Sequence, residues 1–347
     1  MGSTISVAMI VRDEAAHLAD CLEGLHGWAD EICVVDTGSV DETPQIAQRF
    51  GCILGHFAWR DDFAAARNAS LDACTKEWIL VLDADERVQP EHLPLLRDLT
   101  HTGPNRCYRL ITRNYTNARE TAKFVASAPD DPWARGFAGW FPSGKVRLFP
   151  NVAGARFENP VHELVNDSLE RLGIEIRTSD VPIHHYPLLR DAERIRAKRQ
   201  LYLRLGHAKV QAEPLHAPAW TELGNQYAEV GDYRNAAGAY REALRLEPHH
   251  AERLKDLGSM LHLLGRTEQA RIALENAVKR APALTEAWRN LGVVYDDCGE
   301  WAQAVAAFER LVELAATDSE AHRYLAVALA HAGRRADATA EADRALE

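Results

Sequence analysis

Residues 78–86 read Trp78, Ile79, Leu80, Val81, Leu82, Asp83, Ala84, Asp85, Glu86, an apolar run of strand length that breaks into three carboxylates. An uninterrupted apolar run suits a strand buried on both faces, as in a parallel sheet covered by helices. Such a strand cannot carry charge into the core, so the acids emerge at its carboxyl end, where open α/β sheets hold their ligands. The run therefore points to a cation, a phosphate, or both.

Working outward, strand patterns at 5–11, 31–35 and 52–56 alternate with helical patterns at about 17–25, from Thr43 with Pro44 in the first turn, and at 63–74, and a further helix follows Pro90. This βαβα order predicts a mainly parallel sheet with helices on both faces. Beyond Arg106 the strand candidates shorten to 107–112, 145–149 and 174–177, separated by Gly, Pro and Trp. An antiparallel edge with loops over the site is expected there.

The second half is governed by repetition. Gly224, Gly258, Gly292 and Ala326 stand 34 residues apart, as do Gly231, Gly265, Gly299 and Gly333, and Trp220, Leu254, Trp288 and His322. Pro248 and Pro282 close the first two units. Three registers agreeing over four units resemble the tetratricopeptide repeat, in which one small residue lets two helices approach and a glycine turns the chain between them.

A chain of 347 residues suits two domains. A net charge of −11 without a long basic run argues against nucleic acid or an anionic membrane as the main partner. The six cysteines show no CxxC pairing and read as reduced thiols. The apolar start, residues 3–11, lacks a basic front and runs straight into Arg12, Asp13 and Glu14, so it reads as a first strand. A cytoplasmic protein without a membrane span is expected.

Asp83 and Asp85, two apart at a strand end, can reach the same side, and oxygen ligands of this kind suit Mg²⁺ or Mn²⁺. Asp36, Thr37, Gly38, Ser39, Val40 and Asp41 repeat the logic after the second strand. Asp36 suits a ribose or a base edge, and Asp41 either does likewise or caps the helix at Thr43. Arg67 and Asn68 offer donors for phosphate or ribose oxygens.

Together with Met9, Ile10, Val11, Arg12, Asp13 and Glu14, these segments resemble a family 2 glycosyltransferase of the GT-A fold over roughly residues 5–186. The resemblance implies that Asp36 and the loop of Arg12 and Glu14 hold the nucleotide, and that Asp83 and Asp85 hold ribose and a divalent metal on the diphosphate of a UDP-sugar. Asp13 stands where many relatives have Asn. Gly139, Trp140, Phe141, Pro142, then Val146 to Phe149, Val161, His162, Glu163, and His184, His185, Tyr186 narrow it to a subgroup that includes lipopolysaccharide-core glucosyltransferases. A transferase domain followed by repeats is also similar to a peptide S-glycosyltransferase.

The expected architecture is an α/β GT-A domain at 1–189, a helical linker at 190–216, and an all-α solenoid of four tetratricopeptide units at 217–347. The family implies inversion at the anomeric carbon, which needs a base for the acceptor and an electrophilic clamp on the leaving diphosphate. Glu163 is the candidate base, or else a structural carboxylate binding backbone or Arg147. His185 is the candidate third metal ligand beside Asp83 and Asp85, since neutral imidazole suits Mn²⁺. Trp140 and Trp133 are candidates for a sugar platform or a donor lid, whereas Trp28 reads as core. The implied activity moves a hexose, glucose first, to a protein or peptide recruited by the repeats. The alternatives are a lipopolysaccharide-core acceptor with the repeats serving a homodimer, and an inactive scaffold. No evident polar helix caps the repeats before Glu347, which suits pairing or further repeats.

Overall fold

The computed structural model describes residues 3–119, 121, 123–161, 163–186 and 192–346. His162, and residues 187–191 where the expected domain boundary falls, lie outside the described residues. By internal contacts the chain divides into two units, Met1–Arg194 and Ile195–Glu347.

In the first unit the alternation runs β1 (Ile5–Val11), α1 (Ala15–Leu25), β2 (Glu31–Asp36), α2 (Thr43–Arg49), β3 (Ile53–His56), α3 (Phe63–Asp72) and β4 (Trp78–Val81). β1 pairs in parallel with β2 and β4, and β2 with β3. Both faces of β1 and β4 are apolar, and the period of two sorts their side chains. Ile5, Val7, Met9, Trp78 and Leu80 pack with Leu18 and Leu22 of α1. Ala8, Ile79 and Val81 pack with Ala64 and Leu71 of α3 on the other face. Fully burying a side chain such as Leu22 contributes roughly 2–3 kcal/mol.

The later strands depart from expectation. They are β5 (Glu86–Arg87), then after α4 (Leu93–Leu99) the strands β6 (Arg106–Thr116), β7 (Val125–Ala126) and β8 (Gly139–Pro150), and after α5 (Asn166–Arg171) the strand β9 (Glu175–His185). The sheet order is β3-β2-β1-β4-β8-β6-β9-β5, with β7 against β8. The expected antiparallel edge is thus half of the sheet, and part of it is parallel: β8 runs antiparallel to β4 and β6, but β9 lies parallel to β6. Gly139, Pro142 and Gly144 in β8 and Pro182 in β9 interrupt the apolar pattern, which conceals the full strands in the sequence. A register shift between Leu110 and Ile111 of β6 absorbs the irregularity at Pro182.

The second unit opens with α6 (Ala192–Ala212) and continues as four helix pairs: α7 (Ala217–Glu229) with α8 (Tyr233–Leu246), α9 (Ala251–Leu263) with α10 (Thr267–Arg280), α11 (Thr285–Asp297) with α12 (Trp301–Leu314), and α13 (Ser319–His331) with α14 (Arg335–Arg344). Gly231, Gly265, Gly299 and Gly333 turn the chain inside each pair at φ between +70° and +78°. At Gly224, Gly258 and Gly292 the reason for glycine is contact: a Cβ there would stand 2.7, 2.6 and 2.5 Å from Tyr240, Leu274 and Phe308. The fourth unit has Ala326 at the small position and Ala342 in the register of those large side chains, so a methyl is matched by the loss of a ring.

Trp220 and Trp288 donate Nε1–H to the carbonyls of Pro214 and Pro282 at 3.0 and 2.9 Å. His322, in the same register, holds its Nε2 3.1 Å from the carbonyl of Ala316, six residues back as in the other two. Contrary to expectation the last helix is polar: α14 carries Arg335, Asp337, Glu341, Asp343 and Arg344 and buries none of its residues. Among the described residues no helix is long and apolar enough to cross a membrane.

Candidate active site

The acids predicted at the end of β4 do emerge at the carboxyl edge of the sheet, and β5 and β9 determine what they meet. Glu86 pairs with His185 in the β5–β9 register, so the turn 83–86 lies against the end of β9. Asp85 Oδ2 stands 3.4 Å from His185 Nε2. The amide nitrogen of Asn114 on β6 donates to Phe141 O at 3.1 Å and to Ser143 Oγ at 2.9 Å, which leaves Asn114 Oδ1 to accept from His185 Nδ1–H at 2.7 Å. The other ring nitrogen, Nε2, faces the Asp85 carboxylate, and either a proton on Nε2 or a cation between the two satisfies both. Ligand atoms each about 2.1 Å from one ion stand about 3 Å apart, so Asp85 and His185 fit Mn²⁺ or Mg²⁺.

Asp83 is oriented differently from its expected place on the metal. Its Oδ1 accepts from Arg67 Nη2 at 2.5 Å. Burial alone would raise the Asp83 carboxyl, but the guanidinium of Arg67, with Arg147 and Lys145 behind it, holds it well below the usual carboxylate range. Arg67 sits on α3, whose start is fixed by Asp62 accepting from the backbone N–H of Ala65 at 2.8 Å. The same guanidinium reaches Glu163 through Nε at 3.4 Å. One buried arginine thus ties the candidate base to the acidic turn. Arg147, the alternative partner weighed for Glu163, is instead paired with Glu86 at 2.5 Å. A cavity of about 20 Å³ lies among Arg67, Lys145, Arg147, Glu163 and Asn166.

Asn68 does not extend this set toward a ligand. Its amide is spent on the backbone of Phe157, donating to the carbonyl at 3.0 Å and accepting the N–H at 2.9 Å, so the expected donor fork reduces to Arg67.

The loops after β1 and β2 form the other part of the same edge. Asp36 is 5 % exposed, and its carboxylate accepts from the backbone of Gly38 and Ser39 at 3.2 Å and from Ser39 Oγ at 2.5 Å. Ser39 Oγ accepts from the Asp13 N–H at 2.8 Å, and Asp13 accepts from the Val40 N–H at 2.7 Å. Asp13 has φ +54°, a conformation Asp and Asn tolerate better than most residues. Asp41 accepts from the N–H groups of Ala15 and Thr43, the first residues of α1 and α2, at 3.1 and 2.9 Å. It therefore caps, as one of its two readings held. Glu14 is buried and donates its N–H to Thr43 Oγ1 at 2.7 Å, whereas Arg12 is exposed at the rim.

Trp133 and Trp140 are half-buried around an aromatic cluster. Tyr115 stacks on Tyr186 and His184, Trp133 packs on His184 at 4.9 Å, and Arg113 lies 4.8 Å over the Trp140 ring. Burial, then Arg113, pulls His184 down to about 3, and burial pushes the Tyr115 phenol up to about 12, so two neutral groups share their 2.8 Å hydrogen bond. Trp28 packs at the edge of the main core, as expected.

Among the described residues the one trio of metal-ligating types that converges within 4.8 Å is Glu31, Cys33 and Cys74, apart from the acidic turn. Its thiols already donate to the carbonyls of Ala73 and Ser70, and Glu31 accepts from Ser6 and Thr75. That cluster is structural. Asn114 is the site residue sequence reasoning passed over, and the pairing of Glu86 with Arg147 is the contact it did not foresee. An amide in a strand and a buried ion pair have no local signature, although Glu86 belonged to the acidic run.

Residues 6–132 match the family described as Glycosyl transferase family 2. Residues 204–315 match the Cilia and flagella-associated protein 70 middle TPR-like domain, and residues 290–347 match the Tetratricopeptide repeat. A TPR repeat-containing protein of Synechococcus elongatus is 35 % identical over 263 residues, covering 70 % of this chain and 56 % of the relative. An uncharacterized glycosyltransferase of Rickettsia felis is 32 % identical over 168 residues, covering 48 % of this chain and 54 % of the relative. The SPbeta prophage-derived glycosyltransferase SunS of Bacillus subtilis is 26 % identical over 162 residues, covering 46 % and 34 %. The chain spans about half the length of the first two relatives and about a third of SunS. With the acids of β4, the loops of β1 and β2 and the helix pairs in place, the chain carries a family 2 glycosyl transferase domain followed by tetratricopeptide repeats.

Proposed function

We propose that the protein is an inverting glycosyltransferase that moves a hexose, glucose first, from a UDP-sugar to a protein or peptide recruited by the repeats, in the cytoplasm. The observation that carries this reading is the chain of contacts from Glu163 through Arg67 to Asp83, next to Asp85 and His185. Asp85 and His185 would hold Mn²⁺ or Mg²⁺, which supplies Lewis-acid stabilisation of the leaving diphosphate when bound. Asp36 and the loop of Arg12 and Glu14 would hold the nucleotide, with Asp83 toward the ribose and Trp140 bordering the donor.

In an inverting displacement the acceptor attacks from the face opposite the leaving group. Its proton passes to Glu163 as the new glycosidic bond forms and the bond to diphosphate breaks. Arg67 orients Glu163 through Nε and Asp83 through Nη2, so base and donor-side carboxylate keep one spacing. The aromatic cluster around Tyr115 and Tyr186 packs on the neighbouring His184 at the end of the same strand.

The repeats supply the acceptor side of the proposal, because stacked helix pairs present an extended surface suited to a peptide. The test is slow hydrolysis of UDP-sugars by the purified protein. Turnover that needs Mn²⁺ and vanishes in Asp85→Ala supports the transferase, and no hydrolysis or transfer with any nucleotide sugar favours a scaffold. Mass spectrometry of acceptor proteins after incubation with a panel of UDP-sugars identifies the sugar and the linkage.

A further inference from the structure

Glu86 is the third acid of the run, and the donor reading leaves it without a role. Its exposure is 1 %, so it does not meet a ligand directly. Its Oε2 accepts from the backbone N–H of Asp83 at 2.9 Å, and its Oε1 accepts from Arg147 Nη2 at 2.5 Å. The backbone N–H of Glu86 donates to the carbonyl of Asp83 at 3.0 Å. The turn from 83 to 86 is therefore closed twice, once by main chain and once by a side chain. Arg147 is 4 % exposed, and its Nη1 donates to Val81 O at 3.4 Å, at the end of β4. The pair spans from the last residue of the strand to the first acid beyond it.

The next residue works from the other face of the strand. Arg87, 6 % exposed, donates Nη1 to the carbonyls of Ala84 and Glu86 at 2.7 Å each, and Nη2 to His17 O at 2.8 Å. Successive residues of a strand point to opposite faces. Glu86 thus secures a turn N–H from one side of the sheet while Arg87 secures turn carbonyls from the other.

A buried ion pair is a poor device for stability, because well-packed apolar residues of the same volume usually serve the core as well or better. What a carboxylate does here that a leucine cannot is accept the Asp83 N–H. We propose that Glu86, charged and held by Arg147, is a positioning residue that fixes the 83–86 turn, so that Asp83 faces Arg67 while Asp85 faces His185. This rests on the reading of that turn as the site for the donor diphosphate and its metal. Groups that orient metal-binding carboxylates in this way affect affinity more than fold.

The test uses the full chain and two variants, Glu86→Gln and the double substitution Glu86→Leu with Arg147→Met, which replaces the pair by apolar side chains of similar volume. Mn²⁺-dependent UDP binding is measured by calorimetry, and thermal unfolding is followed in parallel. The double variant is expected to keep the wild-type unfolding temperature within a few degrees and to bind UDP with Mn²⁺ about 10–100-fold more weakly. Glu86→Gln, whose one carbonyl oxygen can serve only one of the two donors, is expected to fall between them in affinity and to unfold at a lower temperature than either, because it leaves the buried Arg147 charge without its partner. Wild-type affinity in the double variant overturns the positioning role. Should the double variant fail to fold, wild-type affinity in Glu86→Gln overturns it equally. A wild-type protein that binds no UDP with Mn²⁺ overturns the donor reading itself, a result separate from equal binding by all three proteins.

Discussion

Arg67 shows how a single side chain sets the electrostatics of this site. Its guanidinium faces two carboxylates that would otherwise repel each other, and the arginine itself is 5 % exposed. Because Asp83 is held below its ordinary value of about 3.9, its contribution to stability is full above that pH. The contribution is lost as pH falls through the lowered folded value. In Asp83→Asn that contribution is absent at every pH. The stability gap between wild type and Asp83→Asn is therefore expected to be constant near neutrality and to narrow below about pH 4. Urea unfolding of the full chains from pH 6 to 3 measures it, and a gap that does not narrow would refute the assignment. The pairing of Asp85 with His185 followed from the family resemblance, and the acids themselves were legible because an apolar strand cannot hide them. The partnership of Arg67 with Glu163 was not legible, since 96 residues separate them and only tertiary bonds, such as those from Asn68 to Phe157 and from the Phe63 N–H to Pro160, bring their segments together.

At the level of elements, the sequence is most readable where one rule acts alone. The parallel strands are apolar on both faces, and the repeat helices recur at a fixed interval, so both were recognisable. β5, two residues long, exists only because β9 pairs with it, and no local pattern could announce it. The contact glycines make a quantitative case in the repeats. At Gly292 a Cβ would meet the Phe308 ring at 2.5 Å, so Gly292→Ala must displace the ring and is expected to cost about 1–3 kcal/mol. Phe308→Leu in the same chain should recover part of that loss, and additive losses in thermal unfolding would argue against the contact. The last pair has a second device. His322 meets Glu341 of α14 at 2.6 Å, and the hydrogen bond to Glu341, then that to the Ala316 carbonyl, raise its pKa against the opposing effects of burial and, last, of Arg344. A raised histidine contributes fully below its unfolded value of about 6.5 and loses that contribution as pH rises through the folded value. Amide exchange in α14, corrected for intrinsic rates, should accelerate between pH 6 and 9 in the wild type. It should do so less in Glu341→Gln, and equal acceleration in both would exclude the pair as the cause.

For the whole molecule the two units have separate interiors. The apolar clusters of residues 5–183 share no residue with those of 203–338, so each unit carries its own core. Donor chemistry is proposed for the first and acceptor capture for the second, and these should be separable. Recruitment through the repeats makes transfer effectively intramolecular, at a local acceptor concentration far above its bulk value, and tethering of this kind is worth about 10²–10⁴-fold. A chain ending at Arg194 is therefore expected to bind UDP with Mn²⁺ as the full chain does, while transfer to a protein acceptor falls by about 100-fold or more. Slow hydrolysis of the donor, which needs no acceptor, should survive the truncation. If hydrolysis and transfer instead fell by the same factor in a truncated chain that still shows cooperative unfolding, the repeats would be supporting the catalytic unit itself. Acceptor capture would then have to be sought on the first unit.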